Sequence, residues 1–266
     1  MWTDLPSPVI VAHRGDKAYA PENTLSAFEQ AAGKGADAVE FDVKLTADGQ
    51  VIVLHDQTVE RTTNGSGNAA KLPLAALRDL DAGVLFPGQF PGEKIPTLDE
   101  VFETVGKRIY MNIELTNYST PNDALVAKVA ELVRKHGMQD RVLFSSFFAG
   151  NLRKARLLLP EVPRGLLTLP GLMGFWGRAF GWRGDYAALN PYMTDVNAGL
   201  VARVHAAGKR VNAWTVTAEA DIRRMIGLGV DGIITDDPAL ALRLRGSPGS
   251  RISSRISYGT GFGRGK

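Results

Sequence analysis

The chain has 266 residues, 44% of them apolar and 22% charged, with no cysteine. These proportions fit one globular domain of α/β-barrel size. No run approaches the ~20 apolar residues that span a bilayer, and disulfides, thiolate metal sites and cysteine nucleophiles are excluded. The net charge of +3 comes from 31 basic against 28 acidic residues. Setting aside Arg251, Arg255, Arg264 and Lys266 after residue 246 leaves 27 against 28, a body charge of about −1 that gives no reason to expect a nucleic-acid partner.

The N-terminal stretch MWTDLPSPVIVAHRG has no basic leader and only four apolar residues before His13, so a cytoplasmic location is expected. Apolar runs then alternate with helical patterns: VIVA 9–12, AVEFDV 38–43, VIVL 51–54, IYMNIEL 109–115, VLFSS 142–146, RGLLTL 164–169, RVNAWTV 210–216 and GIITD 232–236. Runs without polar alternation are strands covered on both faces, and eight of them with intervening helices fit a TIM (β/α)8 barrel. YAALN 186–190 is a ninth candidate that could replace one of the eight.

Helices are expected from Leu25, capped by Asn23 or Thr24, and over 97–106, 122–137, 195–208 and 217–229. The TADGQ turn at 46–50 joins the second and third runs without a helix, so those two strands are free to pair differently from the rest. Residues 56–96 hold RTTNGSGN, LFPGQFPGEKIP and one helix-sized apolar segment, and read as an inserted capping segment after the third strand. Residues 1–245 are therefore expected to form one barrel domain, and 246–266 a basic tail rich in Gly and Ser that reads as disordered.

In VEFDV the period-2 geometry of a strand puts Glu40 and Asp42 on one face and Val39, Phe41 and Val43 on the other. Two inward carboxylates cost several kcal/mol unless neutralised, either by an internal ion pair or by a bound cation. Glu114 stands near the C-terminal end of another apolar run, where barrel active sites form. Three carboxylates make a hard oxygen ligand set suited to Mg²⁺, Ca²⁺ or Mn²⁺.

His13 closes the first apolar run and His55 the third. Imidazoles beside an oxygen-ligated metal are free to move protons, since a pKa near ~6.5 keeps both forms present at neutral pH. His136 and His205 precede glycines at helix ends and read as C-terminal caps. Arg14 offers a fork of donors to a phosphate. Metal, guanidinium and two imidazoles together describe a site for breaking a phosphodiester.

Beside these residues stand AHRG and PENT within 12–24, VEFDVKLTADG 39–49, VIVLHD 51–56, RTTNGSG 61–67, IPTL 95–98, SSF 145–147, AWTV 213–216 and GVDGIITDDP 229–238. The set resembles the glycerophosphodiester phosphodiesterase family of metal-dependent TIM-barrel enzymes, over residues 9 to 243. The resemblance implies His13 and His55 as the acid/base pair, Glu40, Asp42 and Glu114 as metal ligands, and Arg14 as a phosphate contact. It implies cleavage of a glycerophosphodiester to glycerol 3-phosphate and an alcohol. A barrel that binds such diesters without cleaving them is the alternative from another class.

The family's usual lysine two residues after the third acid is replaced by Thr116. Lys44, in step with Glu40 and Asp42, is read either as a substitute cation for substrate or as a solvated strand end. Trp214 forms either an apolar substrate wall or part of the core. The segment LPGLMGFWGRAFGW at 169–182 is either a local lid or a surface for an acyl chain or bilayer, which would make the substrate a lysophospholipid and the activity that of a lysophospholipase D.

Overall fold

The computed structural model describes residues 2–246, so the basic tail lies outside the described residues apart from its first glycine. Nine strands form one sheet: β1 Val9–His13, β2 Ala38–Leu45, β3 Val51–Val53, β4 Tyr110–Leu115, β5 Val142–Ser146, β6 Arg164–Thr168, β7 Ala188–Pro191, β8 Arg210–Ala213 and β9 Gly232–Thr235. Eight of them are parallel neighbours in the order β1-β2-β4-β5-β6-β7-β8-β9, and β1 pairs with both β2 and β9 to close a TIM barrel.

The expected strand set is corrected at one place. VIVL 51–54 is not a barrel stave: β3 pairs antiparallel with β2, Val43 opposite Val53, in a hairpin turned by residues 46–50, and its other side meets an isolated bridge from Ile52 to Thr97. The eighth stave is β7, from the ninth candidate run. Its short apolar stretch begins only after Tyr186, which leaves little periodicity to read. Consequently His13 and His55 do not occupy equivalent positions, since His13 ends a barrel strand and His55 lies two residues beyond an edge strand.

Helices cover the outside: α1 Leu25–Gly33, α2 Leu74–Arg78, α3 Leu98–Val105, α4 Leu125–Lys135, α5 Ala149–Leu158, α6 Phe175–Phe180, α7 Ala198–Ala206, α8 Glu219–Leu228 and α9 Pro238–Arg245. Thr24 caps α1 through the Ala27 amide, and Thr97 with Glu100 forms a capping box on α3. Val39, Phe41, Val43, Met111, Ile113 and Phe144 face these helices in one fully buried cluster. Trp2 closes the lower end of the barrel against Val9, Val11, Leu143 and Ile234. The segment between β3 and α3 has its own small core, in which Val59, Ala69, Leu77 and Ile95 pack on Ile52 and Leu54. With the lower rim plugged, the cavity of interest opens at the C-terminal ends of the strands.

Candidate active site

Parallel register assembles the acids. Glu40 lies opposite His13 on one side and Asn112 on the other, and Asp42 lies opposite Glu114. One carboxylate oxygen from each of Glu40, Asp42 and Glu114 falls within 4.8 Å of the other two. Oxygens bound at about 2.0–2.6 Å to one hard cation sit at such separations. Burial and the charges of Asp42 and Glu114 raise the Glu40 carboxyl well above its ordinary value, and burial and Asp42 likewise raise Glu114. Three crowded carboxylates, of which Glu40 and Glu114 resist ionising beside their neighbours, are a donor set completed by a divalent cation, so the residues fit one.

The loop after β1 wraps this cluster. Arg14 and Asn23 both hold left-handed backbone conformations, at φ 55° and 59°, a strain that surrounding contacts must sustain. The Arg14 amide donates to the Glu40 carbonyl at 2.8 Å and to Oε2 of its side chain at 3.2 Å. The Arg14 guanidinium donates from Nη1 to Glu22 Oε1 at 2.8 Å, while Nε lies 3.4 Å from Asp42 Oδ2. Asn23 Nδ2 donates to Asp42 Oδ2 at 3.0 Å. Gly15, at φ 87°, permits the close turn, since a Cβ there would meet the Ala27 Cβ at 2.6 Å.

His13 Nδ1 lies 2.6 Å from Asp236 Oδ1 and Nε2 lies 3.9 Å from Glu40 Oε2. A carboxylate acceptor fixes the proton on Nδ1, leaving Nε2 turned toward the acids. Burial, with Arg14 nearby, lowers the His13 pKa against the opposing effect of Asp236. His55 is 42% exposed in its side chain, and its Nδ1 lies 2.5 Å from Asp56 Oδ1.

Lys44 Nζ donates to the Thr116 hydroxyl at 2.9 Å and its carbonyl at 3.3 Å, and that hydroxyl donates to the Val43 carbonyl at 2.8 Å. Lys44 is therefore tied down beside the position where the family's usual lysine is missing, and burial lowers its pKa against the pull of Asp42 and Glu114. A cavity of about 600 Å³ is lined by Lys44, His55, Glu114, Thr116, Tyr118, Phe147, Phe148 and Leu169, among others. Tyr118 donates to Glu114 Oε1 at 2.8 Å and accepts from the Phe147 amide at 3.1 Å. Trp214 sits behind Phe147, edge to face at 5.5 Å, with Nε1 donating to the Asn190 carbonyl at 2.8 Å.

Glu40, Asp42, Glu114, His13, Arg14 and Lys44 thus converge from β1, β2 and β4, with His55 across the cavity and Trp214 one ring removed. His136 is the C-cap of α4 and bonds Asp99, whereas His205 lies inside the last turn of α7 and pairs with Asp231. The sequence did not mark Glu22, Tyr118 or Asp236, and marked Asn23 only as a candidate helix cap, a place that Thr24 takes. Glu22 and Asp236 were legible only as letters of the PENT and TDDP motifs.

A family model described as the glycerophosphoryl diester phosphodiesterase family matches residues 13–240. A glycerophosphodiester phosphodiesterase of Caldanaerobacter subterraneus is 40% identical over 237 residues, 89% of this chain and 97% of its own. Among solved structures, an Oleispira antarctica phosphodiesterase in complex with the product sn-glycerol-3-phosphate matches with TM-score 0.83 and 33% identity, over 91% of this chain and 98% of its own. A glycerophosphodiester phosphodiesterase of Agrobacterium tumefaciens matches with TM-score 0.73 and 32% identity, over 87% and 97%.

Proposed function

Because this chain belongs to the glycerophosphoryl diester phosphodiesterase family, we propose that it uses a divalent ion held by Glu40, Asp42 and Glu114 to hydrolyse glycerophosphodiesters to glycerol 3-phosphate and an alcohol. It is a phosphoric diester hydrolase of the glycerophosphodiester phosphodiesterase type. The convergence of three carboxylates within 4.8 Å beside His13 and Arg14 carries the metal-dependent reading. The product bound to the Oleispira relative supports glycerol 3-phosphate as the phosphate product.

The ion, Mg²⁺, Ca²⁺ or Mn²⁺, supplies Lewis-acid polarisation of the phosphoryl oxygens when bound. Arg14, held in place by Glu22, directs its guanidinium toward the same oxygens and offsets charge developing there. His13 is the base: its Nδ1 proton is held by Asp236, and the lowered pKa keeps Nε2 free to accept the proton of the attacking hydroxyl. His55 is the acid that gives a proton to the departing alkoxide. Water adds its hydroxyl to phosphorus and its proton to the alcohol. When the glycerol 2-hydroxyl attacks first, water opens the resulting cyclic phosphate, whose early accumulation distinguishes the routes. Lys44 supplies a second cation to the substrate, and Trp214 supports the apolar wall through Phe147.

A second substrate, lysophospholipid cleaved as by a lysophospholipase D, is favoured by the segment 169–182. Leu172, Met173 and Trp176 are 91%, 80% and 70% exposed, and Phe175 and Phe180 are also exposed. Leu169 at the start of this segment lines the cavity with Phe147 and Phe148. An acyl chain or bilayer surface covers such a patch. No helix among the described residues is long and apolar enough to cross a membrane. A cytoplasmic location is proposed as well, with which a chain lacking cysteine is compatible.

Incubation with glycerophosphocholine or lysophosphatidylcholine in each of the three ions, reading choline and the phosphate product, tests the proposal. Release of choline with glycerol 3-phosphate supports it; metal-independent release, or no release from either substrate, overturns the metal-dependent reading for these diesters. Binding to phosphatidylcholine vesicles that is lost in Trp176→Ser supports the lipid surface, and equal recovery of both proteins in the supernatant refutes it.

A further inference from the structure

His55 presents a positional problem. It stands on a loop beyond a three-residue edge strand, and its ring is 42% exposed. A general acid must hold its proton-bearing nitrogen within hydrogen-bond reach of the leaving oxygen, and an unrestrained exposed imidazole does not.

A chain of charged groups ties it back to the barrel. His55 Nδ1 meets Asp56 Oδ1 at 2.5 Å, and Asp56 Oδ2 accepts from Arg61 Nε at 2.6 Å. Arg61 Nη1 and Nη2 donate to Glu22 Oε2 and Oε1 at 3.0 and 2.8 Å. The Glu22 side chain is only 5% exposed, lies in the loop between β1 and α1, and accepts Arg14 Nη1 at 2.8 Å. The planar fork of Arg61 fixes both distance and angle to this buried carboxylate.

We propose that Asp56, Arg61 and Glu22 are positioning residues that hold His55 with Nε2 toward the departing oxygen, coupling its placement to that of Arg14. Asp56 accepts the Nδ1 proton, so the proton transferred in the reaction is the one on Nε2. Arg61 keeps Asp56 from turning to solvent, and Glu22 anchors Arg61. A role in stability alone fits Asp56 poorly, because it and Arg61 are 30% and 43% exposed, and an ion pair so open to water adds little. The inference rests on His55 being the acid.

Two substrates that share the transferred group separate the roles: glycerophosphocholine, whose alkoxide needs a proton to leave, and the p-nitrophenyl ester of glycerol 3-phosphate, whose phenolate does not. kcat and KM are measured for wild type, His55→Ala, Asp56→Asn, Arg61→Ala and Arg61→Lys, each full-length and with the ion that best supports wild-type turnover. His55→Ala is expected to lose about 10²–10⁴-fold in kcat on the choline ester and far less on the nitrophenyl ester. Asp56→Asn and Arg61→Ala are expected to lose about 10–100-fold on the choline ester alone, at unchanged KM, with partial rescue in Arg61→Lys. Equal losses on both esters in these two variants, or none, overturn the positioning role. If His55→Ala itself fails to discriminate between the esters, the acid assignment falls and the positioning role falls with it.

Discussion

Replacing Glu22 by Gln removes one negative charge from between two guanidinium groups while keeping the side chain's shape. Against the cost of burial, hydrogen bonds from Arg61 and the charge of Arg14 hold the Glu22 carboxyl down from 4.5 to about 2. At about 1.36 kcal/mol for each tenfold change in acidity, that difference corresponds to about 3 kcal/mol of stability from the ionised form. Because the folded pKa is depressed, the contribution is fully present above about pH 4.5 and is lost as pH falls toward about 2. Urea unfolding of wild type and Glu22→Gln at pH 7 should therefore differ by about 3 kcal/mol. The gap should narrow steadily when the comparison is repeated below pH 4.5. Equal stability at neutral pH, or a gap independent of pH across that window, would refute the reasoning.

Further outcomes follow from the same contacts. His13→Ala and His55→Ala should each lower turnover by about 10²-fold or more while circular dichroism and melting stay unchanged; wild-type rates in both would sink the proton-transfer assignment. The pH profile of kcat/KM should be bell-shaped, and because His13 acts unprotonated with a lowered pKa, its acid limb should fall below pH 6.5. An acid limb above that value contradicts the base assignment. Lys44→Met should raise KM for glycerophosphocholine by roughly tenfold through loss of a partly buried charge-assisted contact; an unchanged KM would leave Lys44 as a strand-end residue bonded to Thr116. Gly15→Ala should destabilise the fold by roughly 1–3 kcal/mol in urea, since the new methyl meets Ala27 at a left-handed position.

The barrel was readable because its strands carry unbroken apolar runs, and Glu40 with Asp42 was readable because strand period alone sets which side chains share a face. What failed was specific. β3 has the apolar composition of a stave, but only pairing decides whether a strand lies in the barrel or in a hairpin on its edge. β7 reads as the lesser candidate because its four residues, Ala188–Pro191, end on a proline and are too few for a period. α5 and α9 went unread because AGNLRKARLL and PALALRLR mix charge and apolar residues densely, although Asp237 with Pro238 is a cap signal that marks the second.

The carboxylate partners of the site histidines divide along the same line. Asp56 is adjacent to His55 in the chain, while Asp236 is 223 residues from His13 and becomes its partner only when β9 closes the barrel on β1. Glu22 and Arg61, 39 residues apart, likewise meet through the fold and not through any local pattern. Thr116 in place of lysine was legible as a difference, but that Lys44 from the neighbouring strand binds the same threonine required the register of β2 against β4.

The account stands most directly on calorimetric titration of the metal-free protein with Mn²⁺, Ca²⁺ and Mg²⁺. It predicts one site per chain for at least one of these ions, abolished in Glu114→Gln and in Glu40→Gln proteins that melt cooperatively. Full binding retained by both variants, or no heat from any of the three ions, would contradict it.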